Sequence, residues 1–156
     1  MGRKADENGF VDGMRVNLFD VSDPCEPKLA DVKILYGDSA SLAGETHKAY
    51  YSDAKNGIVG LPIYRYENGV EQFNGFVAFQ VENGKLNVVK ELDFLDKSSG
   101  LDWNSEKTTQ YNYNYYNIYH VQRGIYIDET VYLLSDYCIY AYSRSDFAYL
   151  GQFDLD

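Results

Sequence analysis

The residues best suited to chemistry fall into three groups. His47 and Lys48, with Arg123 at a matching position later in the chain, place basic and imidazole nitrogens where they could bind an anionic or hydroxylated ligand. The competing account, which carries more weight, has these basic heads neutralise nearby Asp while His47 bonds backbone. Trp103, Tyr111, Tyr113, Tyr115 and Tyr116 interleave with Asn between 97 and 117. Tyr and Trp give large amphipathic contact area at low entropy cost, and Asn adapts its hydrogen bonds, which suits a protein or glycan contact surface. Alternating Tyr-Asn is also the pattern of a half-buried strand, and that account stands slightly ahead. Asp20, Ser22 and Asp23 offer oxygens at short spacing, with Asp6, Glu7 and Asp12 nearby. No spacing matches an EF-hand loop, and Asp-Ser-Asp before Pro24 is the pattern of a hydrogen-bonded turn. No cofactor is therefore expected, with calcium the minor alternative.

Other chemistries lack their parts. Two histidines, His47 and His120, without a close Cys pair make a zinc site improbable. There is no Gly-x-Ser-x-Gly elbow and no phosphate-binding Gly-rich loop. Paired carboxylates for glycoside cleavage need a cleft to set their separation, which a sequence does not show. Catalysis is the minority expectation, and no catalytic residue is nominated. A net charge of −10 argues against a general nucleic-acid surface. Cys25, in a Pro-flanked turn, and Cys138, opening an apolar strand, read as one exposed and one packed thiol.

The elements that must position these groups are strands. The 156 residues are 45% hydrophobic and include sixteen tyrosines and eight phenylalanines, which favour a pleated, half-buried surface. Met14–Asp20 alternates, Val21–Pro27 reverses, and Leu29–Leu35 returns. Gly37–Glu45 is a small-residue connection with room for a helical turn. His47–Asp53, Ile58–Tyr66, Phe73–Val81 and Leu86–Leu95 follow, joined by Asn-Gly turns in which Gly supplies positive φ. Pro62 predicts a bulge or an unpaired position. After the aromatic segment come strands at Ile118–Ile127, Val131–Leu134, Cys138–Tyr142 and Tyr149–Leu155. No amphipathic helix of useful length is evident, and no apolar run spans a membrane.

These strands repeat. Leu18-Phe19-Asp20, Ala78-Phe79-Gln80 and Ala141-Tyr142-Ser143 each lead through a polar turn to a strand opening on Leu: Leu29, Leu86 and Leu150. The three aromatics recur at about 60-residue spacing, longer than the usual blade period of roughly 40–50 residues. A second element, His47–Asp53, parallels Gln122–Asp128 and sets Ala49 against Gly124. Recurring four-stranded units predict an all-β fold, a partial β-propeller of about two and a half four-stranded antiparallel blades. The units are the outer half of a blade at 14–35, a full blade at 46–95, the aromatic insertion at 97–117 and a full blade at 118–155. Such a set does not close a ring. The expectation is a fragment of a larger domain, with association of copies through open blade edges as the alternative.

The string Asp12-Gly13-Met14-Arg15-Val16-Asn17-Leu18-Phe19-Asp20-Val21-Ser22-Asp23-Pro24 resembles a family of secreted bacterial and archaeal proteins with a C-terminal β-propeller, distantly related to WD repeats. His47-Lys48-Ala49-Tyr50 is similar to that family's His-Lys-Ala-Phe. Tyr126-Ile127-Asp128 and Val131–Asp136 are similar to its final blade. The resemblance implies a propeller and an extracellular or cell-envelope setting for the full-length protein, although Met1–Gly9 lacks the apolar core of a signal peptide. It implies no catalytic residues. The expected function is a non-catalytic cell-surface module that binds a protein or glycan partner through its loops. The alternatives are a polysaccharide-acting hydrolase or lyase with part of its site on other blades, and a structural spacer of an envelope protein.

Overall fold

A computed structural model describes residues 2–5, 7, 11–35, 37–68, 70–94 and 121–155. Among the described residues, twelve strands form three antiparallel sheets. Sheet one orders β1 (Gly2–Ala5), β2 (Val11–Asp20) and β3 (Lys28–Leu35). The expected two-strand half blade thus gains a third strand. Sheet two runs from β6 (Ile58–Glu67) through β7 (Val70–Glu82) to β8 (Lys85–Asp93). Two short strands, β4 (Asp38–Ala40) and β5 (Tyr51–Asp53), share the free edge of β6. Sheet three orders β9 (Arg123–Ile127), β10 (Thr130–Leu134), β11 (Cys138–Ser143) and β12 (Tyr149–Asp154).

The sheets stack in chain order, and β7 shows why. Residues along a strand alternate between faces. Val77 and Phe79 point to sheet one, where they meet Met14, Val16 and Leu18. Phe76 and Ala78 point the other way, into a core with Val131, Leu133, Tyr140 and Tyr142 of sheet three. Sheet two is buried on both faces, so β7 reads as a near-continuous apolar run from Phe73 to Phe79. The short strands β5 and β9 lie beside each other at the sheets' inner edges, as radial blades require.

Local chemistry sets the turns. Asn83 and Gly84 both take positive φ, 51° and 71°, in the two-residue link between β7 and β8. Pro62 pairs with Phe76 of β7. On the other edge of β6, β5 registers only with Ile58–Gly60 and β4 only with Tyr64–Tyr66, so Pro62 faces the gap between them. Its missing N–H leaves no ladder bond unmade there.

The hairpin repeat survives in a corrected register. A register shift precedes each repeat aromatic: between Leu18 and Phe19, between Ala78 and Phe79, and between Ala141 and Tyr142. The partners of the aromatics are Leu29, Val88 and Tyr149, so Leu86 and Leu150 are not the equivalents of Leu29. The inner-strand alignment also moves. Tyr51 pairs with Gly60 and faces sheet three, whereas Tyr126 pairs with Val131 and faces sheet two. The loop from Asp53 to Ile58 is two residues longer than the link from Ile127 to Thr130. Aligning on Asp therefore slips one position, which puts the side chain on the opposite face. His47–Asp53 is likewise not one strand. Thr46 caps a 3₁₀ turn at His47–Ala49, accepting from the Lys48 N–H, and only Tyr51–Asp53 is extended.

Cys25 is exposed and Cys138 is buried, its Sγ 3.4 Å from Ser135 Oγ. A thiol reagent should titrate one cysteine rapidly in the native protein and the second only after unfolding. Two fast equivalents in an absorbance assay would contradict this packing.

Candidate functional site

The chemistry gathers where two turns meet across sheets two and three. Asp53 ends β5, and its carboxylate is 1% exposed. Arg144 follows β11 and donates to it in a fork, Nε to Oδ2 at 2.7 Å and Nη2 to Oδ1 at 2.7 Å. Asn56 adds its Nδ2 to Oδ2 at 2.8 Å and its backbone N–H to Oδ1 at 3.3 Å. The guanidinium also donates from Nη1 to the Asp128 carbonyl at 3.0 Å and lies 3.9 Å from the Tyr126 ring centroid. Planar bidentate pairing with ring stacking is a geometry for which Lys cannot substitute.

Electrostatics follow this geometry. Hydrogen bonding from Arg144, opposed by burial and reinforced by Asn56, holds the Asp53 carboxyl down at about 2. The same bond raises the Arg144 pKa. Burial, and next the Asp53 charge, push the Tyr51 phenol up to about 12. The cluster is thus a fixed ion pair flanked by a neutral phenol.

Above it lies a groove of about 450 Å³. Asn56, Gln80, Glu129, Ser145 and Asp146 supply polar groups, and Ile58 and Phe147 supply apolar wall. Gln80 Nε2 donates to the Asn56 carbonyl at 3.0 Å, and the Val81 N–H to the Gly57 carbonyl at 2.8 Å, so one rim is tied to β7. The other rim is tied by the Arg144 N–H to the Glu129 carbonyl at 2.9 Å. Hydrogen bonding from Ser143, then from the Ala148 N–H, lowers the Asp146 pKa.

The residues nominated from sequence lie elsewhere. Trp103, Tyr111, Tyr113, Tyr115 and Tyr116 fall outside the described residues. His47 and Lys48 are exposed on the 3₁₀ turn, and Arg123 is exposed where β9 begins. That turn lies beside β9, so all three share the end of the inner strands opposite the groove. His47 and Tyr50 line a separate cleft of about 360 Å³ between sheets one and two, walled by Val16, Leu18, Val59 and Leu61. Asp20 and Asp23 each accept a turn N–H at 2.9 Å, from Ser22 and Cys25, which is the turn account of these acids. Sequence reasoning missed Arg144. Its one signal was a lone Arg directly after the third repeat hairpin's inner strand, in a turn otherwise built of Ser and Asp.

Antiparallel sheets stacked face to face with their short strands gathered at one edge define a propeller-type, all-β protein. The chain belongs to the β-propeller domain family, whose model matches residues 1–147. No curated protein and no solved structure gave a significant match.

Proposed function

We propose that this chain is a non-catalytic binding module that takes a glycan, or a hydroxyl-rich segment of a protein partner, in the groove between sheets two and three. The observation that carries this reading is the buried Asp53–Arg144 fork, which fixes two turns of different sheets as one rigid rim. Rigid scaffolds presenting polar turns are the usual architecture of recognition surfaces. Sugar hydroxyls both donate and accept, and the amides, carboxylates and Ser145 hydroxyl around this groove offer both functions. The downward shift at Asp146 does not suit that residue to the general-acid role of a glycosidase. The extracellular or cell-envelope setting of this proposal rests on the likeness of Leu18–Asp23 to secreted propellers.

A glycan array followed by titration calorimetry tests it. Glu129→Ala combined with Ser145→Ala changes two groove residues outside the Asp53–Arg144 fork, although the exposed Glu129 carboxylate lies 4.0 Å from Arg144 Nη1. The double variant should keep the fold and weaken the best glycan at least tenfold. No glycan bound by the wild type, or equal affinity in the variant, would sink the proposal. Loss with Trp103→Ala alone would move recognition to the aromatic segment.

A further inference from the structure

The two junctions between sheets are built alike but filled differently. Three residues before each repeat aromatic, β7 carries Phe76 and β2 carries Val16, and each faces the next sheet in the stack. Phe76 is 0% exposed. Its ring lies over Gly60 and Gly124: a Cβ built on Gly124 would stand 3.1 Å from the ring, and one built on Gly60 closer still. It shares a core with Val131 and Leu133 of sheet three.

The register gives the matching residues at the first junction. Val59 pairs with Phe79 as Val131 pairs with Tyr142, so Val59 and Leu61 stand where Val131 and Leu133 stand. Tyr50 precedes Tyr51, the partner of Gly60, and so falls opposite Leu61 as Gly124 falls opposite Leu133. Val16, Val59, Leu61 and Tyr50 all line the cleft of about 360 Å³ between sheets one and two. That cleft is therefore the place which the Phe76 ring fills at the second junction. Val16 is too short to fill it, and Tyr50, 49% exposed, does not fill it either.

The cleft is chemically one-sided. Valine and leucine form its walls, and the exposed His47 and Tyr50 stand at its mouth with an imidazole and a phenol. Among the described residues that line it there is no Asp, Glu, Lys or Arg, in a chain whose net charge is −10. An uncharged lining complements a neutral ligand, because a charge would lose its water there without gaining a partner. Pockets for small molecules are of this kind, mostly apolar with a few polar groups that fix orientation. The rings of His47 and Tyr50 add stacking or edge contacts that favour an aromatic guest.

We propose that this cleft binds a small neutral aromatic molecule. Its ring sits where the equivalent junction seats the phenyl ring of Phe76, and its hydroxyl or ring N–H turns to His47 and Tyr50. The site is separate from the glycan groove, and its walls come from sheets one and two themselves rather than from either end of the stack.

Methyl-resolved NMR with phenol and indole as probes, and cyclohexanol as the non-aromatic control, tests this. The aromatic probes should shift the methyl signals of Val16, Leu18, Val59 and Leu61 and leave those of Val131 and Leu133 in place. They should titrate with a Kd of about 1 mM or tighter, and cyclohexanol should bind more weakly. Val16→Phe supplies the ring from the chain itself, so it should raise the urea midpoint and remove probe binding. His47→Ala with Tyr50→Ala changes two exposed residues; it should keep the fold and weaken the probes about tenfold. Glu129→Ala with Ser145→Ala, which alters the glycan groove, should leave probe affinity unchanged. Absence of methyl shifts in the wild type would overturn the proposal, as would shifts at Val131 and Leu133 instead. So would probe binding that survives in Val16→Phe, a Val16→Phe chain less stable than wild type, or cyclohexanol bound as tightly as phenol.

Discussion

Arg144→Leu should lower the free energy of unfolding by about 3–5 kcal/mol, the usual cost of leaving a buried carboxylate such as Asp53 unpaired. The reason is geometric. Asp53 is 1% exposed, and its oxygens have no solvent to replace the fork that Arg144 supplies. Asn56 remains, but two neutral hydrogen bonds do not balance a buried charge. Arg144→Lys should recover only part of the loss, since an ammonium cannot reproduce two parallel N–H bonds or the stacking on Tyr126. Asp53→Leu with Arg144→Leu together should lie closer to wild type than Arg144→Leu alone, because no charge is then stranded. Urea denaturation of the four proteins reads all of this. A loss below about 1 kcal/mol in Arg144→Leu would place the pair among weak surface bridges.

The same pair has an acid signature. The Asp53 carboxyl sits at about 2 in the folded chain against an ordinary 3.8. A carboxylate whose folded value is depressed contributes stability that is complete above the unfolded value and disappears as pH falls through the folded one. The contribution, on the order of 2 kcal/mol, should therefore be present at pH 5 and lost between about pH 4 and pH 2. In Arg144→Leu the stranded carboxyl gains by protonation instead. The gap between wild type and variant should thus be widest near neutrality and narrow in acid. A gap that stays constant from pH 6 to pH 2 would mean that Asp53 is not the titrating group.

What the sequence disclosed and what it withheld divide along a physical line. Alternation and Asn-Gly turns are local, so the strands and hairpins could be read directly, and the recurring aromatic marked the repeat. The bulge before each aromatic is less visible. It inserts one unpaired residue on the facing strand (Ala30, Val89 and Leu150), and no residue type marks that insertion, so matching strands by their leucines misplaced the register. The 3₁₀ turn at His47–Ala49 came from Thr46 capping a neighbouring N–H, a local bond that competes with strand pairing. The Asp53–Arg144 pair joins residues 91 positions apart. A single Arg between two serines looks the same whether it is solvated or forked onto a carboxylate in the next sheet. The basic rim at His47, Lys48 and Arg123 was sought at inner-strand starts, while the structure gathers its polar groove where those strands end.

Gly75→Ala should be the most damaging glycine-to-alanine change among the described residues. Gly75 lies in β7 opposite Asp93, and a Cβ built on it would lie 1.8 Å from the Leu92 carbonyl oxygen and 2.9 Å from the Leu92 carbonyl carbon. The obstacle is backbone, so no rotamer change relieves it, and β8 must move away from β7. Leu92 and Phe94, which β8 and its extension place in the core against Phe76 and Tyr140, would move with it. Overpacking in a well-filled core costs about 1–3 kcal/mol when side chains can yield, and more when they cannot. The expected result is therefore a loss above about 3 kcal/mol or failure to fold. Gly151→Ala is the matched control, since a Cβ there meets nothing within 4 Å. It should leave the urea midpoint within experimental error. Equal, small effects at both glycines would mean that β7 and β8 do not approach as closely as this sheet requires, and the packing of sheet two on sheet three would have to be redrawn.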